Sequence, residues 1–145
     1  MLLYNEKYQQ LDADKIKIDL LNSLNDTPAP KSEQEVEELL GDYYQQAHQL
    51  DMKQYDLASP SLVSSKTAAF SLSGIGRTVL SKIRKFVCSI LNAGSTTQDI
   101  IDAVLKAISS IIPGGIIIEM IVKKIVSYIV SIGVSKFCPV APSSK

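Results

Sequence analysis

Between residues 74 and 135 apolar side chains return every three or four positions in three successive runs, and each run is closed by a turn-forming sequence. That periodicity predicts helices. The first run, about residues 74–92, places Ile75, Val79, Leu80, Ile83, Phe86, Val87, Ile90 and Leu91 on one face and Arg77, Ser81, Arg84 and Lys85 on the other. Asn92-Ala93-Gly94 ends it, with Gly94 suited to a left-handed C-terminal position. The second, about residues 97–112, begins with Thr96 and Asp99 placed for capping, carries Ile100, Ile101, Val104, Ile108 and Ile111, and stops at Pro113-Gly114-Gly115. The third, about residues 116–135, holds seven Ile and four Val beside a polar stripe of Glu119, Lys123, Lys124, Ser127, Ser131 and Ser135. β-Branched residues also favour strands, so 116–122 alone reads either way. The length of the run and its polar recurrence favour helix.

Two further helices precede these. Residues 13–25 carry Ile16, Leu20, Leu21 and Leu24 near helical spacing, with Asp12 or Asp14 able to cap. Asn25 to Lys31 contains Pro28 and Pro30 and reads as a linker, because proline removes a donor and biases its predecessor away from helix. Ser32 and Glu35 then form a capping box, and the helix they open has an apolar stripe of Val36, Leu39, Leu40, Tyr43, Ala47 and Leu50. Its remaining surface is acidic and Gln-rich, so the stripe needs an apolar partner. The expected fold is all-α: a small bundle of about five helices with a three-helix, hydrophobic, cationic C-terminal module.

The chain has 145 residues and no net charge, but the charge is divided. Residues 1–65 hold 12 acids and 5 bases, a charge of −7; residues 66–145 hold 10 bases and 3 acids, a charge of +7. Ile changes with it, from two residues before position 66 to fifteen after. The stretch Ala58 to Ser73 is rich in small residues, contains Pro60 and marks both a boundary and a site of proteolysis. Two domains are therefore expected: 1–65, an acidic propeptide-like segment, and 66–145, a cationic Ile-rich helical part.

Several functions are excluded by composition. One His and two Cys cannot supply a four-ligand His/Cys zinc site, and neither a Walker loop nor a strand-bounded GxGxxG occurs. No metal or cofactor is expected. His48 sits in the polar run Gln45-Gln46-Ala47-His48-Gln49 and reads as a solvated residue rather than a catalytic base. Asp99 and Asp102 fit capping and solvation of their helix, and Glu119 fits an i, i+4 pair with Lys123, so no acid–base pair is left for an enzyme. Trp is absent and the bases alternate with Ile and Val, which argues against nucleic-acid binding.

Residues 116–135 are long enough to cross a hydrocarbon core of about 30 Å. Their eleven Ile and Val contribute about −3 to −7 kcal/mol on an insertion scale, against about +8 to +10 kcal/mol for three central charges. A lone span is disfavoured. A bundle helix, or one lying in a membrane interface with its lysines toward headgroups, fits better. Forty of the last eighty residues are apolar, and with ten bases among them the composition suits contact with anionic lipid. The start of the chain lacks the long apolar region of a Sec signal peptide, so export would use a dedicated route. At 100° per residue Cys88 falls on the polar side near Arg77, Ser81 and Arg84. Cys88 and Cys138 either bridge the first and third helices of the basic part or remain two reduced thiols.

An acidic Gln-rich front, a small-residue junction and a cationic, Ile-rich, Gly-punctuated helical part with two cysteines together resemble the precursor of a membrane-active antimicrobial peptide or bacteriocin. Residues 66–145 are similar in style to saposin-like bacteriocins and amoebapore-type peptides. The resemblance implies that Val36, Leu39, Leu40 and Tyr43 cover apolar surface of the cationic part until a processing protease cuts the junction. Arg77, Lys82, Arg84, Lys85, Lys106, Lys123 and Lys124 would then meet an anionic membrane, where copies of the chain associate. The alternative is a soluble, non-enzymatic helical-bundle interaction protein whose two halves are packed layers of one fold.

Overall fold

A computed structural model describes residues 2–5, 7, 9–55 and 72–138. Most of the expected junction, and the tail after Cys138, lie outside the described residues. The elements are α1 (Ala13–Ser23), a 3-10 turn (Leu24–Asp26), α2 (Glu33–Tyr55), α3 (Leu72–Cys88), α4 (Thr97–Ile111), a second 3-10 turn (Pro113–Gly115), α5 (Glu119–Ile132) and the short α6 (Val134–Phe137). The protein is all-α: five of these six helices exceed two turns, and no strand occurs among the described residues. Residues of every helix join one continuous apolar core.

Local chemistry sets most helix ends. The Asp12 carboxylate accepts from the backbone N–H of Asp14 at 3.0 Å and starts α1. Thr96 and Asp99 form a reciprocal capping box at α4, with bonds of 2.9 and 3.1 Å. At α2 only half of the expected box forms. Ser32 Oγ accepts from the Glu35 N–H at 3.2 Å, but the Glu35 carboxylate reaches one residue farther back, to the Lys31 N–H.

Three boundaries differ from the sequence expectation. α3 ends at Cys88, and Gly94 has no positive φ; the Asn92 side chain accepts from the Gly94 N–H at 2.8 Å and shapes the turn instead. Residues 116–118 are extended rather than helical. Gly114 and Gly115, at φ 72° and 64°, turn the chain out of α4, and Tyr4 pairs in parallel with Ile116. The Tyr4 N–H donates to the Gly115 carbonyl at 3.0 Å and the Ile117 N–H donates to the Tyr4 carbonyl at 2.7 Å. These bonds satisfy backbone groups that a helix would otherwise pair, and Leu3 enters the core beside them, fully buried. The last helical run is also broken, by Gly133 at φ 91°, into α5 and α6.

α2 and α3 form the most extensive helix pair. Their backbones meet at Gly76, where an added Cβ would overlap the Glu37 carbonyl and lie 3.0 Å from the Gly41 nitrogen. Gly41 is itself buried, so each helix presents a residue without a side chain at the crossing. Gly→Ala inside a helix is ordinarily stabilising by about 0.5–1 kcal/mol. Here the sign reverses: Gly76→Ala should lower stability by about 3 kcal/mol through overpacking against backbone. Thermal unfolding should show a fall of about 10 °C in Tm.

Candidate functional site

The apolar stripe of α2 lies inward. Val36, Leu40, Tyr43 and Ala47 are fully buried, and Leu39 is half-buried at the edge of the same core. Near the middle of α2 the Tyr43 hydroxyl donates to the Ile116 carbonyl at 2.6 Å and accepts from the Ile118 N–H at 3.3 Å. The hydroxyl thus bridges the two backbone groups that the extended segment turns toward α2. Burial pushes the Tyr43 phenol far above its usual range, with the Ile118 N–H acting weakly the other way, so it remains a donor at any ordinary pH.

Along the flank of the α2–α3 crossing, acids of the front segment stand on bases of the C-terminal half. Glu33 accepts from an Arg84 terminal nitrogen at 2.6 Å, and Glu37 lies 3.9 Å from Arg77 Nε. Arg84 holds three elements together. Its Nε donates to the Phe137 carbonyl at 2.9 Å, and its guanidinium carbon lies 4.8 Å from the centre of the Phe137 ring. Phe137, fully buried, meets Tyr128 edge to face. One residue on, Cys138 is bonded to Cys88, the last residue of α3. Of the two readings open in the sequence, the bridge is the one formed. Closing a loop of fifty residues contributes about 4 kcal/mol in the chain-entropy model.

The seven bases expected to meet a membrane are spread over α3, α4 and α5, and ion pairs hold four of them. Arg77 and Arg84 pair with α2, Lys106 lies 3.1 Å from Asp102, and Lys123 lies 3.6 Å from Glu119 as the i, i+4 spacing predicted. Lys82, Lys85 and Lys124 have no ion pair among the described residues, nor does Lys136, which the sequence reading left out. Lys17 of α1 reaches Asp102 of α4 at 2.6 Å, a contact between the halves with the signs exchanged. The sequence carried no signal for that pair, because it joins positions eighty-five residues apart and takes its base from the acidic half and its acid from the basic half.

His48 stacks on Tyr44 with 6.4 Å between ring centres, and the Asp99 carboxylate is engaged in its cap. Among the described residues no group of three His, Cys, Asp or Glu side chains is placed to hold a metal, and no helix is long and apolar enough to cross a membrane. Comparison with protein-family models, with curated proteins and with solved structures finds no match.

Two outcomes test this geometry. Tyr43→Phe keeps the ring but strands a buried carbonyl and a buried N–H, and should cost about 2–4 kcal/mol in urea unfolding. Hydrogen bonding from Lys17 holds the Asp102 carboxyl below its usual range; burial opposes it, and a weaker hydrogen bond from Lys106 acts in the same direction as Lys17. A depressed carboxylate contributes stability above its unfolded value, about pH 3.9, and loses that contribution as pH falls through the folded value. Asp102→Asn should therefore flatten the acid limb of the stability curve below about pH 4. An unchanged limb would show that the pair does not couple folding to protons.

Proposed function

We propose that residues 66–145 act as a bacteriocin-like, cationic membrane-permeabilising domain, covered by the acidic front segment until a protease cuts the chain between them. The observation that carries this reading is the seating of α2 on α3. One helix both buries the Val36, Leu40, Tyr43 and Ala47 stripe and stands Glu33 and Glu37 on Arg84 and Arg77.

Cleavage at the junction makes release of α2 a separation of two chains, so its apolar contacts no longer benefit from a tether. Departure of the whole front segment, residues 1–65, takes seven net negative charges, uncovers the inner face of α3 and leaves a domain of charge +7. Anionic lipid then attracts the freed bases. The Ile-rich helices lie in the interface with apolar faces inward to the acyl chains, and copies associate there to open a path. The Cys88–Cys138 bond lies wholly within this part and survives the cut. Synthesis as a covered precursor and export by a non-Sec route complete the reading.

A second reading, a non-enzymatic interaction protein, is favoured by the depth to which the front segment enters the fold. Leu3 and Tyr43 are core residues, and Lys17 pairs with Asp102. The two readings separate on dye release from vesicles of phosphatidylcholine alone and of phosphatidylcholine with phosphatidylglycerol. Residues 66–145 should release dye at least tenfold faster than the full chain at equal concentration, and only from the anionic vesicles. Equal or absent release from both chains would leave the interaction protein.

A further inference from the structure

We infer that the uncut chain already carries a docking ridge for an anionic lipid surface, on the face of α3 turned away from α2 and continued by α6. The inference rests on the reading above that anionic lipid is the partner, and it adds that docking precedes cleavage.

Gly76, Val79, Leu80, Ile83 and Val87 mark the buried face of α3. At 3.6 residues per turn, Lys85 falls directly opposite their centre, flanked by Thr78, Ser81, Lys82 and Ser89, and all five of these residues are exposed. Among the described residues the ion pairs from α2 to α3 are those of Glu37 with the flanking Arg77 and of Glu33 with the flanking Arg84. α3 and α6 contain no acid, and the three acids of the C-terminal half are engaged elsewhere: Asp99 in its cap, Asp102 with Lys17 and Lys106, Glu119 with Lys123. Among the described residues no acid therefore pairs with Lys82, Lys85 or the exposed Lys136 of α6. The Cys88–Cys138 bond, with 5.6 Å between Cα atoms, and the Arg84–Phe137 hydrogen bond fix α6 beside the end of α3, so Lys136 extends the same end of the molecule.

An apolar edge accompanies the charge. Phe86 is half-buried, and Ile90, just beyond the helix, is 50% exposed. Lysines with small hydroxyl neighbours beside an exposed Ile suit a headgroup region, where cations meet phosphates and an apolar tip enters the acyl boundary. A nucleic-acid backbone would use the lysines and leave Ile90 in water. Because the chain as a whole is neutral, attraction to an anionic surface depends on this local segregation rather than on net charge.

The test is flotation of the uncut full-length chain with vesicles of phosphatidylcholine alone and of phosphatidylcholine with phosphatidylglycerol. Binding is expected only to the second, weakening with added salt. Each near-surface lysine is worth about fivefold in partitioning, so the triple variant K82Q/K85Q/K136Q should partition about 100-fold less. A control with the same charge change elsewhere, K7Q/K15Q/K31Q, should stay within about threefold of the parent. The chain has no Trp, so Ile90→Trp gives a single tryptophan, excited selectively over the six Tyr, whose emission should shift to the blue on anionic vesicles. Failure to float, equal losses in the two triple variants, or tighter lysine-dependent binding to polyadenylate than to vesicles would overturn the inference. Dye release by the cut chain is read separately. Ridge-dependent binding without release after cutting keeps the ridge and removes the permeabilising function; release without ridge-dependent binding of the uncut chain does the reverse.

Discussion

Two helix backbones in contact at Gly76 set the arrangement of everything around them. Side chains normally keep helix axes 8–10 Å apart. With no Cβ on Gly76 and none on Gly41, α3 rests against the Glu37 carbonyl of α2 itself. From that point the remaining contacts follow by helical geometry. Val36 and Leu40, one turn apart, enter the core on one side, while Glu33 and Glu37, also one turn apart, come level with Arg84 and Arg77 on the other. A larger residue at the crossing would lift the stripe and the ion pairs together.

The second constraint is the satisfaction of an irregular backbone inside the core. The extended stretch 116–118 offers polar groups that water cannot reach, since all three isoleucines are buried. Tyr4 pairs with one edge of it and the Tyr43 hydroxyl with the other. Acidic and basic parts are thus joined by hydrogen bonds as well as by charge, and the hydrogen bonds are the better shielded from salt.

The regular part of this fold was legible because it rests on local rules. Helical spacing located all five long helices, and Asp12, Thr96 and Asp99 announced the starts of two of them. What stayed hidden depends on partners distant in sequence. The Ile116–Ile118 run has no intrinsic reason to be extended until Tyr4 and Tyr43 meet it. Gly76 looks like an ordinary helix-weakening glycine until the Glu37 carbonyl is placed beside it. For the candidate surface, the polar position of Cys88 was a readable sign of a bond outside the helix core, whereas the role of Lys136 depended on where that bond puts α6. Charge counting identified the basic half but could not say which bases the acids would reach.

The covalent bond between Cys88 and Cys138 turns α3's end, α4, α5 and α6 into a closed ring of chain, from which the front segment and most of α3 hang as a tail. The two regions therefore respond differently to the same chemical insult. A broken peptide bond in the tail divides the molecule into two independent pieces. A broken peptide bond within the ring merely opens it, and both ends stay on one molecule, able to return to their places. The topology thus makes nicks between Cys88 and Cys138 repairable by refolding and turns a nick between α2 and α3 into a separation of two chains.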